Sequence, residues 1–106
     1  MSNWFVYNDG DTTGGEGTEG GIILRDEEHE QGARLTLKRG ESFFAVSCSI
    51  RGWMDHTRFF ATELEAQREY LSMKPPLANM LENILSNGKG DLKMWEAIAD
   101  FVRRYP

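Results

Sequence analysis

Residues 33–60 read ARLTLKRGESFFAVSCSIRGWMDHTRFF, and the way this stretch pairs with itself decides the fold. Three strand-like runs, Ala33–Lys38, Glu41–Ile50 and Trp53–Phe60, are separated by Arg39-Gly40 and Arg51-Gly52. An Xaa-Gly pair between such runs predicts a two-residue hairpin turn, because glycine supplies the positive φ that a tight turn needs. Turning at Arg39-Gly40 sets Lys38 opposite Glu41, Leu37 opposite Ser42 and Leu35 opposite Phe44. Directly opposed residues share a face, so Leu35, Leu37, Phe44 and Val46 form one apolar side. Turning at Arg51-Gly52 sets Ile50 opposite Trp53, Cys48 opposite Asp55 and Ser47 opposite His56. The core face then gains Trp53 and Phe59, with Asp55 as its weak point. The other face receives Arg34, Lys38, Phe43, Met54, His56, Arg58 and Phe60, a mixture of apolar and basic groups that reads as an interaction face. A one-residue slip in the last hairpin would exchange its two sets.

Outward on the N-terminal side, Trp4 to Tyr7 reads as a short edge strand. Gly21 to Asp26 reads as another, with Ile22 and Leu24 on one face and Ile23 on the other. Glu27 to Gly32 reads as a polar connection in which His29 is a solvated turn residue. Residues 8–31 hold eight acidic side chains against Arg25 alone, a net −7 in a chain whose total is −5. Six of the 11 glycines fall in the same quarter. Residues 8–20, with Asp9, Asp11, Glu16 and Glu19, are therefore expected to be a mobile acidic loop, since such a segment has large chain entropy and little apolar surface to offset it.

On the C-terminal side the period changes. Thr62 and Glu65 match a capping box, predicting a helix from Glu63 to about Met73. Pro75 and Pro76 predict a break, because a proline nitrogen carries no hydrogen and its ring disfavours helix in the residue before it. Leu77, Met80, Leu81, Ile84 and Leu85 recur at helical spacing up to Asn87-Gly88-Lys89-Gly90. Asp91 then reads as the cap of a last helix with Leu92, Trp95, Ile98, Ala99 and Val102 on one face. Phe101 and Tyr105 lie off that stripe, so this helix presents apolar surface on two sides.

The expected architecture is α+β: one domain over residues 1–106, with sheet hairpins in 21–60 and a helical part in 62–105. An antiparallel sheet of about five strands is covered on one face by two to three C-terminal helices. No apolar run approaches the ~20 residues of a membrane helix. No secretory signal pattern opens the chain, and Cys48 is the one cysteine. These features read as a cytoplasmic setting without membrane contact.

Chemistry-bearing motifs are sparse. Gly15-Glu16-Gly17-Thr18-Glu19-Gly20 fits G-x-G-x-x-G, yet the strand-like Ile22-Ile23-Leu24 follows where a dinucleotide site needs a helix, and its glutamates would repel phosphate. Asp9 and Asp11 begin a calcium-loop spacing that ends on Gly20 instead of a bidentate glutamate. No metal or cofactor is expected. Four readings of function follow. The leading one is a non-enzymatic protein-interaction module, self-associating as a homodimer through a sheet face or a helix. The second is single-stranded nucleic-acid binding on the basic-aromatic face, against which the acidic segment stands. The third is an acidic, immunity-like partner that neutralises a basic protein. The fourth is a hydrolase or transferase using Ser47 and His56; Asp55 would lie on the wrong face to orient that imidazole, and no catalytic set is assigned.

Overall fold

The computed structural model describes residues 3–16, 21–85, 88 and 90–106. Gly17, Thr18, Glu19 and Gly20 of the acidic segment, and Asn87 and Lys89 of the expected helix stop, lie outside the described residues, as does the side chain of Asp9. The fold is α+β. Strands β1 (Trp4–Val6), β2 (Ile22–His29), β3 (Ala33–Arg39), β4 (Phe44–Ile50) and β5 (Met54–Phe60) form one antiparallel sheet in chain order. Helices α1 (Glu63–Met80) and α2 (Asp91–Arg104) pack on one face, and a π-helical turn, Leu81–Leu85, extends α1. No helix is long and apolar enough to cross a membrane among the described residues.

The first hairpin turns later than expected. Arg39 pairs with Phe44 across Gly40–Phe43, closed by the Gly40 amide on the Phe43 carbonyl at 2.8 Å. A two-residue type I′ turn needs positive φ at both central residues, which strains an arginine. Leu35 consequently faces Cys48 rather than Phe44, a shift of four residues. Because four is even, every side chain keeps its expected face.

The second hairpin differs by one residue. Arg51, Gly52 and Trp53 form a three-residue loop with Gly52 at φ 81°, and Ile50 pairs with Met54. This one-residue slip corrects the expected register. Met54, His56, Arg58 and Phe60 turn towards the helices, while Asp55, Thr57 and Phe59 turn to the open face.

The core lies between sheet and helices. Leu35, Leu37, Val46, Cys48 and Ile50 meet Tyr70, Met73 and Leu77 of α1 and Met94, Ile98 and Phe101 of α2. Full burial of such a leucine, isoleucine or methionine is worth about 1.5–3 kcal/mol. Polar clamps join the layers. Glu27 accepts Tyr70 Oη at 2.7 Å and Lys74 Nζ at 2.8 Å. Burial works to raise its carboxyl pKa, but those hydrogen bonds and the neighbouring charges of Lys74 and Arg25 outweigh it and hold it below the ordinary range. His29 is no solvated turn residue: β2 runs through it and it is fully buried. Its Nδ1 accepts the Gln31 amide at 3.1 Å, which leaves Nε2–H to donate to Glu82 at 2.8 Å.

The expected helix break does not occur. α1 runs through Pro75 and Pro76 to Met80. An interior proline costs about 3 kcal/mol, partly through the carbonyl four residues back that loses its partner. For Pro76 that carbonyl belongs to Ser72, and Tyr105 Oη donates to it at 3.1 Å. The expected cap at Thr62 is present, its hydroxyl accepting the Glu65 amide at 3.2 Å. Asp91 is the first residue of α2 instead of its cap, with Gly90 in the cap position.

Candidate functional site

Register arranges the open face of the sheet in three rows across the strands. The first holds Ile23, Lys38, Ala45 and Phe59; the second holds Asp26, Thr36, Ser47 and Thr57; the third holds Glu28, Arg34, Ser49 and Asp55. Small side chains on β4 keep the floor low between longer ones on β3 and β5. Two adjoining hollows result. One, of about 320 Å³, is bounded by Thr12, Glu16, Lys38, Ser49, Asp55 and Thr57. The other, of about 340 Å³, shares Lys38 and Thr57 and is bounded by Glu41, Phe43, Ala45 and Phe59. Phe43 and Phe59 meet edge to face with centroids 5.5 Å apart, and both are exposed.

The described part of the acidic segment closes the β2 side of this face. Ile23 exchanges backbone hydrogen bonds with Gly14 and Gly15, and Thr12 Oγ1 donates to Asp26 at 2.7 Å. Arg34 holds both oxygens of Asp26, at 2.9 and 2.7 Å, and its guanidinium carbon lies 3.7 Å from the centroid of the Tyr7 ring. Burial acts to raise the Asp26 carboxyl, but hydrogen bonds from Arg34 and Thr12 prevail and hold it below its ordinary value. Arg34 is therefore an internal counter-ion. Asp11 and Glu16 remain exposed at the surface.

The expected interaction face is divided. Arg34 and Lys38 lie on the open face and Phe43 on the turn beside it, whereas Met54, His56, Arg58 and Phe60 lie on the helix side. His56 Nε2 is 2.6 Å from the Tyr105 carbonyl, and Arg58 pairs with Glu69 at 2.6 Å. Ser47 and His56 are thus on opposite faces, and the Ser47 hydroxyl instead bonds that of Thr57 at 3.0 Å. Burial, with the Asp55 charge adding to it, pushes the Cys48 thiol up to about 12, far from the thiolate a nucleophile needs. Among the described residues no three histidine, cysteine, aspartate or glutamate side chains converge on a metal position.

A second surface lies on α2. The residues it buries are Met94, Ile98 and Phe101, with Tyr105 buried just beyond it. Of the expected packing stripe only Ile98 is buried; Leu92 is 73% exposed, Trp95 52% and Val102 37%, with Ala99 exposed between them. The sequence shows both apolar sides of this helix without saying which one meets the core. Trp95 meets Trp53 of the β4–β5 loop at a centroid distance of 5.2 Å, which carries the outer stripe onto the sheet edge.

No family model, curated protein or solved structure matches this chain. The surfaces must be read from their own chemistry. Phe59, Asp55 and, on α2, Leu92, Trp95, Ala99 and Val102 are surface residues that sequence reasoning set on packing faces. The pattern did hold a signal for the first two, since a slip of one residue in the last hairpin exposes both.

Proposed function

We propose that this protein is a non-enzymatic protein-interaction module that self-associates through the outer stripe of α2. The carrying observation is the exposure of Leu92, Trp95, Ala99 and Val102 on the side of the helix away from the core. Their alternating steps of three, four and three residues follow the pattern of a helix–helix seam. Side chains of this size turned to water are a cost that contact with a like surface removes. A two-fold axis lays the same stripe on both partners, so one sequence feature supplies both halves of the contact. Trp53 and Trp95 place aromatic groups at its edge, the residue type most enriched in interface hot spots.

The stripe is narrow compared with the ~800 Å² per partner of a stable complex, so a weak dimer is expected, with a dissociation constant on the order of 10–100 µM. Sedimentation velocity over a concentration series tests this. The native chain should shift from monomer to dimer, and Trp95→Glu should stay monomeric with an unchanged circular-dichroism spectrum. A native chain that is monomeric at all concentrations up to about 1 mM would overturn the reading.

A further inference from the structure

The open-face hollows form a site separate from α2. We propose that this groove binds a short peptide with free ends, about three residues long, carrying an aromatic or large apolar C-terminal side chain. Its polarity follows from three observations. The hollow over Ala45 is walled by Phe43 and Phe59 and takes the apolar side chain. The ammonium of Lys38, a half-buried residue, makes no ion pair or hydrogen bond with a described residue; Lys38 and Thr57 both line the two hollows. Together they offer a cation and a hydroxyl to a carboxylate, and Glu41 of the turn borders the apolar hollow beside them. At the far end Asp55 lines the polar hollow without a salt bridge among the described residues, whereas Glu16, bridged to Ile22 beside β2, lines it from the opposite side. With Arg34 committed to Asp26, that end favours an ammonium group.

Length follows from the register. Lys38 and Asp55 stand two rows and two strands apart, about 16 Å between Cα atoms at ~3.3 Å per residue and ~4.8 Å per strand. An extended tripeptide spans roughly 10 Å between its charged ends, and a contact of about 3 Å at each end brings it to that separation. An oligonucleotide fits less well, since its phosphates would meet Glu16 and Asp55, with Lys38 the one cation of the rows that lacks a side-chain partner among the described residues.

Isothermal titration with the tripeptide Ser-Gly-Phe tests the assignment. Binding is expected in the high-micromolar to millimolar range, as for other small ligands held by a few contacts. Lys38→Gln, or amidation of the peptide C-terminus, should each weaken it about tenfold, and the two together no further. Asp55→Asn and N-acetylation should each weaken it about threefold and likewise overlap. Both variants are surface changes, and unchanged thermal melts will show that they fold. The assignment is overturned by absence of binding at 10 mM peptide (about the weakest affinity of interest), by an affinity indifferent to Lys38→Gln or to amidation, by one indifferent to Asp55→Asn or to acetylation, or by tighter binding of oligothymidylate in the same groove. Because α2 is not involved, Trp95→Glu should leave the peptide affinity unchanged.

Discussion

The two hairpins carry the same Arg-Gly signature and turn differently. The β3–β4 connection takes four residues and β4–β5 takes three. Against a two-residue turn, the first register moves by an even number and the second by an odd one. Only the second changes which atoms meet the helices. Parity of the displacement therefore matters more than its size: a four-residue error leaves the core intact on paper, while a one-residue error turns a strand inside out.

The largest expected effect that separates the two registers comes from adjacent phenylalanines. Phe60 packs against the core from the helix side, and Phe59 is 66% exposed. Phe60→Ser should lower stability by about 3 kcal/mol and Phe59→Ser by under about 0.5 kcal/mol, read by urea unfolding. The opposite order would restore the two-residue turn. Next is His56→Ala, which removes the donor at the Tyr105 carbonyl and should cost about 1.5 kcal/mol in the same assay. On the open face His56 would be replaceable without loss.

The turn glycines sharpen the comparison at about 1 kcal/mol. Gly52→Ala forces a side chain into left-handed backbone at φ 81° and should cost about that much. At Gly40 the φ is ordinary, but a Cβ would stand 2.7 Å from the Phe43 ring. Gly40→Ala should therefore displace the ring at a cost under about 0.5 kcal/mol, seen as a changed ring-proton shift of Phe59 rather than a changed melting point. The smallest effect concerns pH. Asp26 and Glu27 face opposite sides of the sheet, and each carboxyl is held below its ordinary value, by Arg34 and Thr12 in one case and Lys74 and Tyr70 in the other. Their stabilisation is complete above the ordinary carboxylate range and is lost as pH falls through the lowered values. Melting temperature should be flat from about pH 8 to 5 and decline below about pH 4, with Asp26→Asn and Glu27→Gln each flattening the decline.

Much of the fold was legible because period-two alternation and the Thr62 cap are local signals. The five strands and the faces of β3 and β4 follow from residues close in sequence. What was hidden depends on distant partners. Continuity through Pro75-Pro76 is supported by Tyr105, some thirty positions later, and burial of His29 depends on Glu82 from the π-helical turn. For α2 the pattern showed two apolar sides but could not rank them, since Leu92-Trp95-Val102 and Met94-Ile98-Phe101 have equal claims on helical spacing. The candidate sites were hidden for the same reasons: the groove depends on which face β5 gives its side chains to, and the α2 surface on which of its two sides meets the core.

Cys48 lies near the middle of β4, fully buried, with a thiol raised to about 12. A thiol-reactive dye at neutral pH will find almost no reactive sulfur in the native molecule, whereas the unfolded chain presents an ordinary thiol. The rate of labelling is then a clock for opening of β4 away from the helices, free of any introduced reporter. Run beside the denaturant melts, it measures how often the core exchanges with an open form in the absence of denaturant.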